Sequence, residues 1–326
     1  MKIIITGATG SLGAYLTRWF AAKGHEIFAL GRIDDPPQKL LSCAQYIKAD
    51  ITNTLSFPDA DVCIHTAAIA DDKTSAIQLY NANVIGTKHV AQAAKYCKVF
   101  VHVSSSSVYN NSDKPLSEDM TDVKNSKKLS AYGNSKLHAE NILQQTSMNN
   151  SCFVLRPRGI YGIGDKVLLP RLLKLVRNNK MIRPGSMNVR LSMTHFSNFA
   201  TAVECCLLSQ KKGFNIYNVT DDKPYSLYDV ARKLLTMLYT ADLPEKKIPL
   251  WILKCMSHLK LGDATPLFIN TISKDFVLDI SKIKRELNYV PVTDFDSSIY
   301  EIGEWVKTIG GTEVLKKATP SLAWEV

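Results

Sequence analysis

The chain has 326 residues, 45% hydrophobic, 9% aromatic and 21% charged, a balance that excludes disordered, collagen-like and disulfide-stapled chains and fits two units of about 150 residues, or one α/β unit with an appendage. Lys and Arg outnumber Asp and Glu by 40 to 30, giving a net charge of +10. The surplus is scattered, with no basic run longer than two residues, so it points away from nucleic acid and toward a surface that helps collect a phosphate-bearing ligand.

The predicted elements alternate from the start. Lys2–Thr6 is a β-branched strand, Leu12–Lys23 a helix with Leu12, Leu16, Trp19 and Phe20 at helical spacing, and Glu26–Leu30 a second strand after Gly24. Strand-like runs recur at Ala44–Ala49, Asp61–His65, Val99–Ser104 and Cys152–Arg156, with helices predicted over Ala76–Tyr96 and Leu129–Gln145. This rhythm predicts a parallel sheet covered on both faces: an α/β doubly wound (Rossmann) sheet over 1–162, with a returning segment at about 190–219 that holds the strand Asn215–Val219. Residues 163–189 and 220–326 read as a smaller, mainly helical C-terminal cap, with amphipathic helices at Asp165–Asn179, Ser226–Tyr239 and Phe295–Thr308.

Along Ile248–Leu259, Ile248, Trp251, Ile252, Cys255 and Leu259 share one helical face, expected to pack on the cap core; a lid or membrane-surface contact is the less favoured reading. Seven cysteines without a C-x-x-C pair are expected to be free thiols in a reducing, cytoplasmic setting. Histidine spacing suggests no metal site. Met1 leads directly into a strand, with no signal peptide read, and no stretch of about 18 apolar residues occurs.

Thr6-Gly7-Ala8-Thr9-Gly10-Ser11-Leu12-Gly13 lies where a strand turns into a helix. Gly7 suits the tight turn, Gly10 lets backbone approach a pyrophosphate, and Gly13 lets the helix pack on the sheet, so the amide-rich helix end faces an anion. The second strand ends in Leu30-Gly31-Arg32 with no acid at its tip, which favours NADP over NAD by charge, although Asp34 and Asp35 follow closely and keep NAD as the rival. Asp50-Ile51 follows the third strand, where a capping or loop aspartate is an equal reading of the residues; a role for its carboxylate at an adenine amino group is what the resemblance below implies.

Tyr132-Gly133-Asn134-Ser135-Lys136 opens a helix and puts Tyr132 and Lys136 one turn apart on one face. A free phenol ionises near pH ~10, so a neighbouring cation is needed for it to exchange a proton at neutral pH. The strand Val99–Val103 delivers Ser104-Ser105-Ser106-Ser107 to the edge of the sheet where α/β sites form, and a hydroxyl there can orient a substrate oxygen. No G-x-S-x-G elbow surrounds these serines.

These pieces together resemble the extended short-chain dehydrogenase/reductase family, the NAD-dependent epimerase/dehydratase group. The matching motifs are Thr6–Gly13, Asp50-Ile51, His65-Thr66-Ala67-Ala68, Asn83-Val84-Ile85-Gly86-Thr87, Ser104–Tyr109, Tyr132–Lys136 and Arg156-Pro157-Arg158-Gly159-Ile160-Tyr161-Gly162. The resemblance implies bound NAD(P) and a Ser–Tyr–Lys site. By position Ser105 matches the catalytic hydroxyl, with Ser104 and Ser106 as alternatives. Cofactor contacts are implied for Gly7, Thr9, Gly10, Ser11, Leu12, Gly13, Arg32, Asp50, Ile51, Thr66, Ala67, Ala68, Asn83, Lys136 and Pro157. Ser106, Arg158, Gly159, Met193 and His195 are candidate substrate residues. Asn110 departs from the family's usual glycine after Tyr109. Segments such as Leu169-Pro170-Arg171-Leu172, Met193–Asn198 and Tyr217–Asp221 are most similar to 3β-hydroxysteroid dehydrogenase-like reductases.

The expected activity is hydride transfer to or from a secondary alcohol or ketone of a hydrophobic, steroid-like substrate. The alternatives are a nucleotide-sugar epimerase or dehydratase, in which Arg158 and Arg190 would hold a diphosphate, and a non-catalytic cofactor sensor. Arg190 is followed by Leu191, where epimerases typically carry an Arg-Asp dipeptide. A homodimer through the two long helices is the family's usual arrangement.

Overall fold

Strands β1 (Lys2–Thr6), β2 (Glu26–Gly31), β3 (Gln45–Lys48), β4 (Val62–His65), β5 (Val99–Val103) and β6 (Ser151–Pro157) join a returning strand, Gly213–Val219, in one parallel sheet. The spatial order is Gly213–Val219, β6, β5, β4, β1, β2, β3. Connections run outward in both directions from β1 and β4, so the loops leaving their C-terminal ends diverge and open a crevice there. The computed structural model describes residues 1–71, 74–110, 112, 114–121, 129–146, 151–259, 261 and 265–326.

The central strands are apolar along their length because both faces are covered. Helix α1 (Ser11–Ala22) and the helix Phe196–Leu208 bury Leu12, Leu16, Phe20, Phe196, Phe199 and Val203 against one face. On the other face Val90, Ala91 and Leu143 pack on Ile4, Cys63, Phe100 and Val154. A second core, built from Leu169, Leu173, Val230, Leu234, Ile302 and Trp305, forms the cap.

Four sequence readings need correction. The predicted helix Ala76–Tyr96 is three pieces: Ala76–Tyr80, a π-helical turn Asn81–Ile85, and Gly86–Ala93. The wide turn lets Asn83 reach Ile69 and Ser135, and a Cβ on Gly86 would lie 2.7 Å from Ile51 Cδ1.

Asp165–Asn179 is not one helix. Only Leu168–Leu173 is helical, and the Asp165 carboxylate accepts from the amides of Val167, Leu168 and Leu169 at its start. Asn178 and Asn179 then adopt φ of 50° and 56° and turn Val176–Arg177 back onto Lys180–Pro184 as a hairpin.

In the stretch 248–259, Ile248 ends a strand (Glu245–Ile248) and Leu250–His258 is the helix. Its packed side is Leu253, with Leu250 and Met256 against Ile269 and Ile272, whereas Trp251 (66% exposed), Cys255 and Leu259 face solvent. The segment is apolar almost all round, so periodicity could not choose the face; the neighbouring helix Pro266–Ser273 does. Among the described residues no helix is long and apolar enough to cross a membrane.

The chain after 220 also does not stay in the cap. Ile280, Ile283, Leu287 and Tyr289 join the core of the sheet, and Trp324 returns to the glycine turn, donating from Nε1 to Ala8 O at 3.1 Å.

Candidate active site

The glycine turn follows from close backbone packing. Gly7 sits at φ 71°, and a Cβ there would lie 2.8 Å from Ala67 N. A Cβ on Gly13 would stand 2.2 Å from Gly7 O, so α1 can touch the turn only without one. Gly10 caps α1 and no side chain satisfies its first amides, which leaves them directed at an anion. Lys166, from the cap, reaches across: its backbone amide donates to Ser11 Oγ at 3.2 Å and its Nζ to Thr9 O at 3.4 Å.

From this turn a cavity of about 1040 Å³ runs over the ends of β1, β4, β5 and β6 into the cap. Gly7, Thr9, Gly10, Ser11, Leu12, Gly13, Arg32, Asp50, Ile51, Thr66, Ala67, Ala68, Ser105, Ser106, Tyr132, Lys136, Pro157, Arg158, Gly159 and Met193 all line it. Asp50 Oδ1 accepts from the amide and hydroxyl of Thr52 at 2.9 and 2.8 Å, which holds its carboxyl below the usual range. Of the two acids that kept NAD in play, Asp34 is paired with Lys48, and neither it nor Asp35 lines the cavity.

Two expected site residues sit elsewhere. Asn83 is buried beside the cavity, where its carboxamide bonds Ile69 N and O and Ser135 Oγ, so it fixes the loop after β4. His195 caps the helix Phe196–Leu208 through Ser197 and lies edge-on to Tyr161 at 5.0 Å. Arg190 is exposed and outside the cavity, so the pair Arg158–Arg190 is not assembled.

The four serines that follow β5 do not share one task. Ser104 is buried and donates to Glu140 Oε1 at 2.5 Å, whereas Ser105 caps the short turn Ser106–Val108 by accepting from Ser107 N at 3.1 Å. Tyr132 and Lys136 sit in the first turns of Ala131–Gln145, whose Ser130 cap accepts from Gly133 N at 3.1 Å. Lys136 is 3% exposed and donates from Nζ to Val103 O at 2.8 Å; burial pulls its pKa down to about 8 against the opposing pull of Glu140.

Sequence reading missed Gly133, where a Cβ would meet Ser107 O at 2.2 Å. Its absence lets the Tyr132 helix touch the serine turn, and the only signal was a glycine inside a helical pattern. It also missed Glu140, a charge at helical spacing from Lys136 that nothing local marks as buried.

A glycine turn with uncapped helix amides, a cavity that runs from it across the strand ends and a Tyr–Lys pair at the mouth of a doubly wound sheet are the arrangement of a dinucleotide-dependent enzyme. The cradle fits such a cofactor on its own geometry: a backbone turn that any Cβ would fill and helix amides without a side-chain cap. The model of the NAD-dependent epimerase/dehydratase family matches residues 3–220, and the chain belongs to that family. It is an NAD(P)-dependent enzyme of the extended short-chain dehydrogenase/reductase type.

Among its relatives, 4-hydroxy-2-methyl-3-oxo-4-farnesyl-3,4-dihydroquinoline-1-oxide ketoreductase of Stigmatella aurantiaca is 26% identical, over 89% of this chain and 92% of that protein. The 3-beta-hydroxysteroid dehydrogenase of Mycolicibacterium neoaurum is 24% identical over 99% and 96%. The structure of UDP-glucuronic acid 4-epimerase from Bacillus cereus in complex with NAD superposes with a TM-score of 0.75 at 21% identity, covering 95% of this chain and 98% of that one, which establishes the shared fold.

Proposed function

We propose that the protein reduces a hydrophobic ketone with NADPH, working in a reducing, cytoplasmic setting as a homodimer. The observation that carries the reading is the cavity itself: it is shared by Tyr132 and Ser105 with Leu168, Leu172, Leu191, Met193, Leu227 and Val230 of the cap side, which outnumber the charged Lys166 and Arg171 beside them. The ketoreductase and hydroxysteroid dehydrogenase among the relatives support the same substrate class. The seven cysteines are free, which suits a reducing compartment, and Ile77 and Tyr80 lie exposed on the helical segment expected at a dimer interface.

The bound nicotinamide supplies the hydride. Tyr132 Oη delivers the proton to the carbonyl oxygen, and Ser105 donates to that oxygen as charge builds on it. The Lys136 ammonium, held by Val103 O, stabilises the phenolate left on Tyr132. The glycine turn, with Lys166 beside it, holds the pyrophosphate.

A substrate screen that follows loss of reduced nicotinamide tests the reading: one NADPH is consumed per ketone reduced. An epimerase would give product with no net consumption, and that result would remove the proposal.

Arg32, exposed at the tip of β2 and lining the cavity, is assigned to a 2′-phosphate. Arg32→Ala is expected to weaken NADPH binding by roughly ten- to hundredfold and to leave NADH nearly unaffected, since a charge-assisted pair contributes about 1.5–3 kcal/mol. Dissociation constants for both cofactors check it; tighter NADH binding by the unmodified protein, indifferent to the substitution, would contradict it.

The pH dependence follows from Lys136. Burial favours its neutral form, so its pKa drops to about 8 from the ordinary lysine value of 10.5, and the free enzyme loses the ammonium as pH rises through about 8. The ammonium is the working form. The kcat/KM is therefore expected to fall about tenfold per pH unit above pH 8, because this ratio titrates with the free enzyme. A profile flat to pH 10 would remove Lys136 from the proton chemistry.

A further inference from the structure

Two arginines stand two residues apart at the end of β6, Arg156 buried and Arg158 partly buried, and the fold treats them differently. Arg156 is paired with Glu140 through Nε–Oε1 (2.9 Å) and Nη2–Oε2 (2.5 Å). Arg158 lines the cavity, and among the described residues no carboxylate pairs with it.

The Arg158 guanidinium lies 3.8 Å from the centre of the Phe276 ring, and its backbone is fixed by Thr194, whose hydroxyl accepts from Arg158 N at 3.2 Å and donates to Arg158 O at 3.0 Å. Ring stacking fixes the plane of the cation but leaves its donor edges without an anion. Desolvation pulls its pKa down to about 10.

We propose that Arg158 anchors a carboxylate carried by the substrate, so that the ligand of this site is a hydrophobic oxo acid. The inference rests on the reductase reading above and names its substrate class. A single planar fork matches the two oxygens of a carboxylate. The phosphate-binding features lie elsewhere in the cavity, at the glycine turn, Lys166 and Arg32.

Sheet register sets the distance. Val103 of β5 is level with Leu155 of β6, so Ser105 and Ser106 leave one strand where Pro157 and Arg158 leave the next. Arg158 therefore enters the cavity from the strand end next to the serine turn, and a 3-oxo acid is the first compound to test.

The experiment has a binding arm and a turnover arm. The unmodified protein, Arg158→Met and Arg158→Lys are each loaded with NADPH and titrated with decanoate and methyl decanoate, reading bound-cofactor fluorescence. Reduction of 3-oxodecanoate and of its methyl ester is then followed by the loss of reduced-nicotinamide absorbance. The acid is expected to bind roughly ten- to hundredfold more tightly than the ester, with the same preference in kcat/KM carried by KM. In Arg158→Met, which keeps apolar packing on Phe276, the acid-to-ester ratio falls to about one, and Arg158→Lys restores part of it.

Equal binding of acid and ester, a ratio unchanged by Arg158→Met, or loss of NADPH affinity in that variant would overturn the proposal. An Arg158-dependent acid preference in binding, with no NADPH oxidised by either oxo compound, would uphold the carboxylate site and count against the reductase reading. Turnover without an acid preference would do the converse.

Discussion

Tyr132→Phe is expected to lower ketone turnover by roughly 10²- to 10⁴-fold, the usual contribution of a positioned proton donor, while NADPH affinity stays within about twofold. The substitution keeps the ring and removes only the hydroxyl that the mechanism uses. Its leverage comes from how tightly the group is placed. Ser130 caps the helix one residue before Ala131, and Gly133 lets the helix backbone meet Ser107 O, so Tyr132 is held beside the serine turn by main chain rather than by a mobile side chain. Single-turnover kinetics with preloaded NADPH would read the loss in the chemical step. A variant that kept more than about a tenth of the rate would show that another group delivers the proton.

The largest expected stability effect lies just outside the cavity. Glu140→Gln is predicted to cost about 3–5 kcal/mol, because it leaves Arg156 buried without its counter-charge. Arg156 is 1% exposed and Glu140 2%. The pair is the centre of a network that joins four elements. Ser104 after β5 donates to Glu140, Arg156 Nη1 donates to Tyr109 OH at 2.8 Å, and Tyr109 OH donates to Asn218 Oδ1 of the returning strand at 2.7 Å. Arg156 Nη1 also reaches Glu118 O at 3.2 Å.

Desolvating two charges is costly, so the pair adds little over an apolar replacement, but removing one partner exposes the full cost. Urea unfolding of Glu140→Gln, and of the cycle Glu140→Leu, Arg156→Leu and Glu140→Leu/Arg156→Leu, tests this. The double variant should lose less than the sum of the single losses. A single-variant loss below about 1 kcal/mol would mean that the network is not a structural clamp.

How much was legible in the sequence differs from one kind of residue to another. The helix Phe295–Thr308 was read to the residue, because Asp294 caps it and its apolar positions repeat at helical spacing. The hairpin at Asn178-Asn179 was missed because a run of basic and apolar residues imitates a helix unless the two asparagines are weighed as a type I′ turn. The face of Leu250–His258 was read wrongly, with Trp251 inward in place of Leu253, since the two are equally apolar and only the adjoining helix distinguishes them.

The same division runs through the site. The sequence alone determined the parallel sheet, the glycine turn from strand to helix and the delivery of Ser105, Tyr132 and Lys136 to the edge of that sheet, since each rests on contacts between near neighbours: a glycine spacing, a strand's end, one turn of helix. Only the tertiary structure decided that Asn83 and His195 hold loops and helix ends, that Asp34 is drawn off to Lys48, and that of two arginines two residues apart Arg156 is neutralised and Arg158 is not. Those outcomes depend on which distant segment arrives beside a charge, and a counter-ion supplied from far along the chain leaves no local pattern to read.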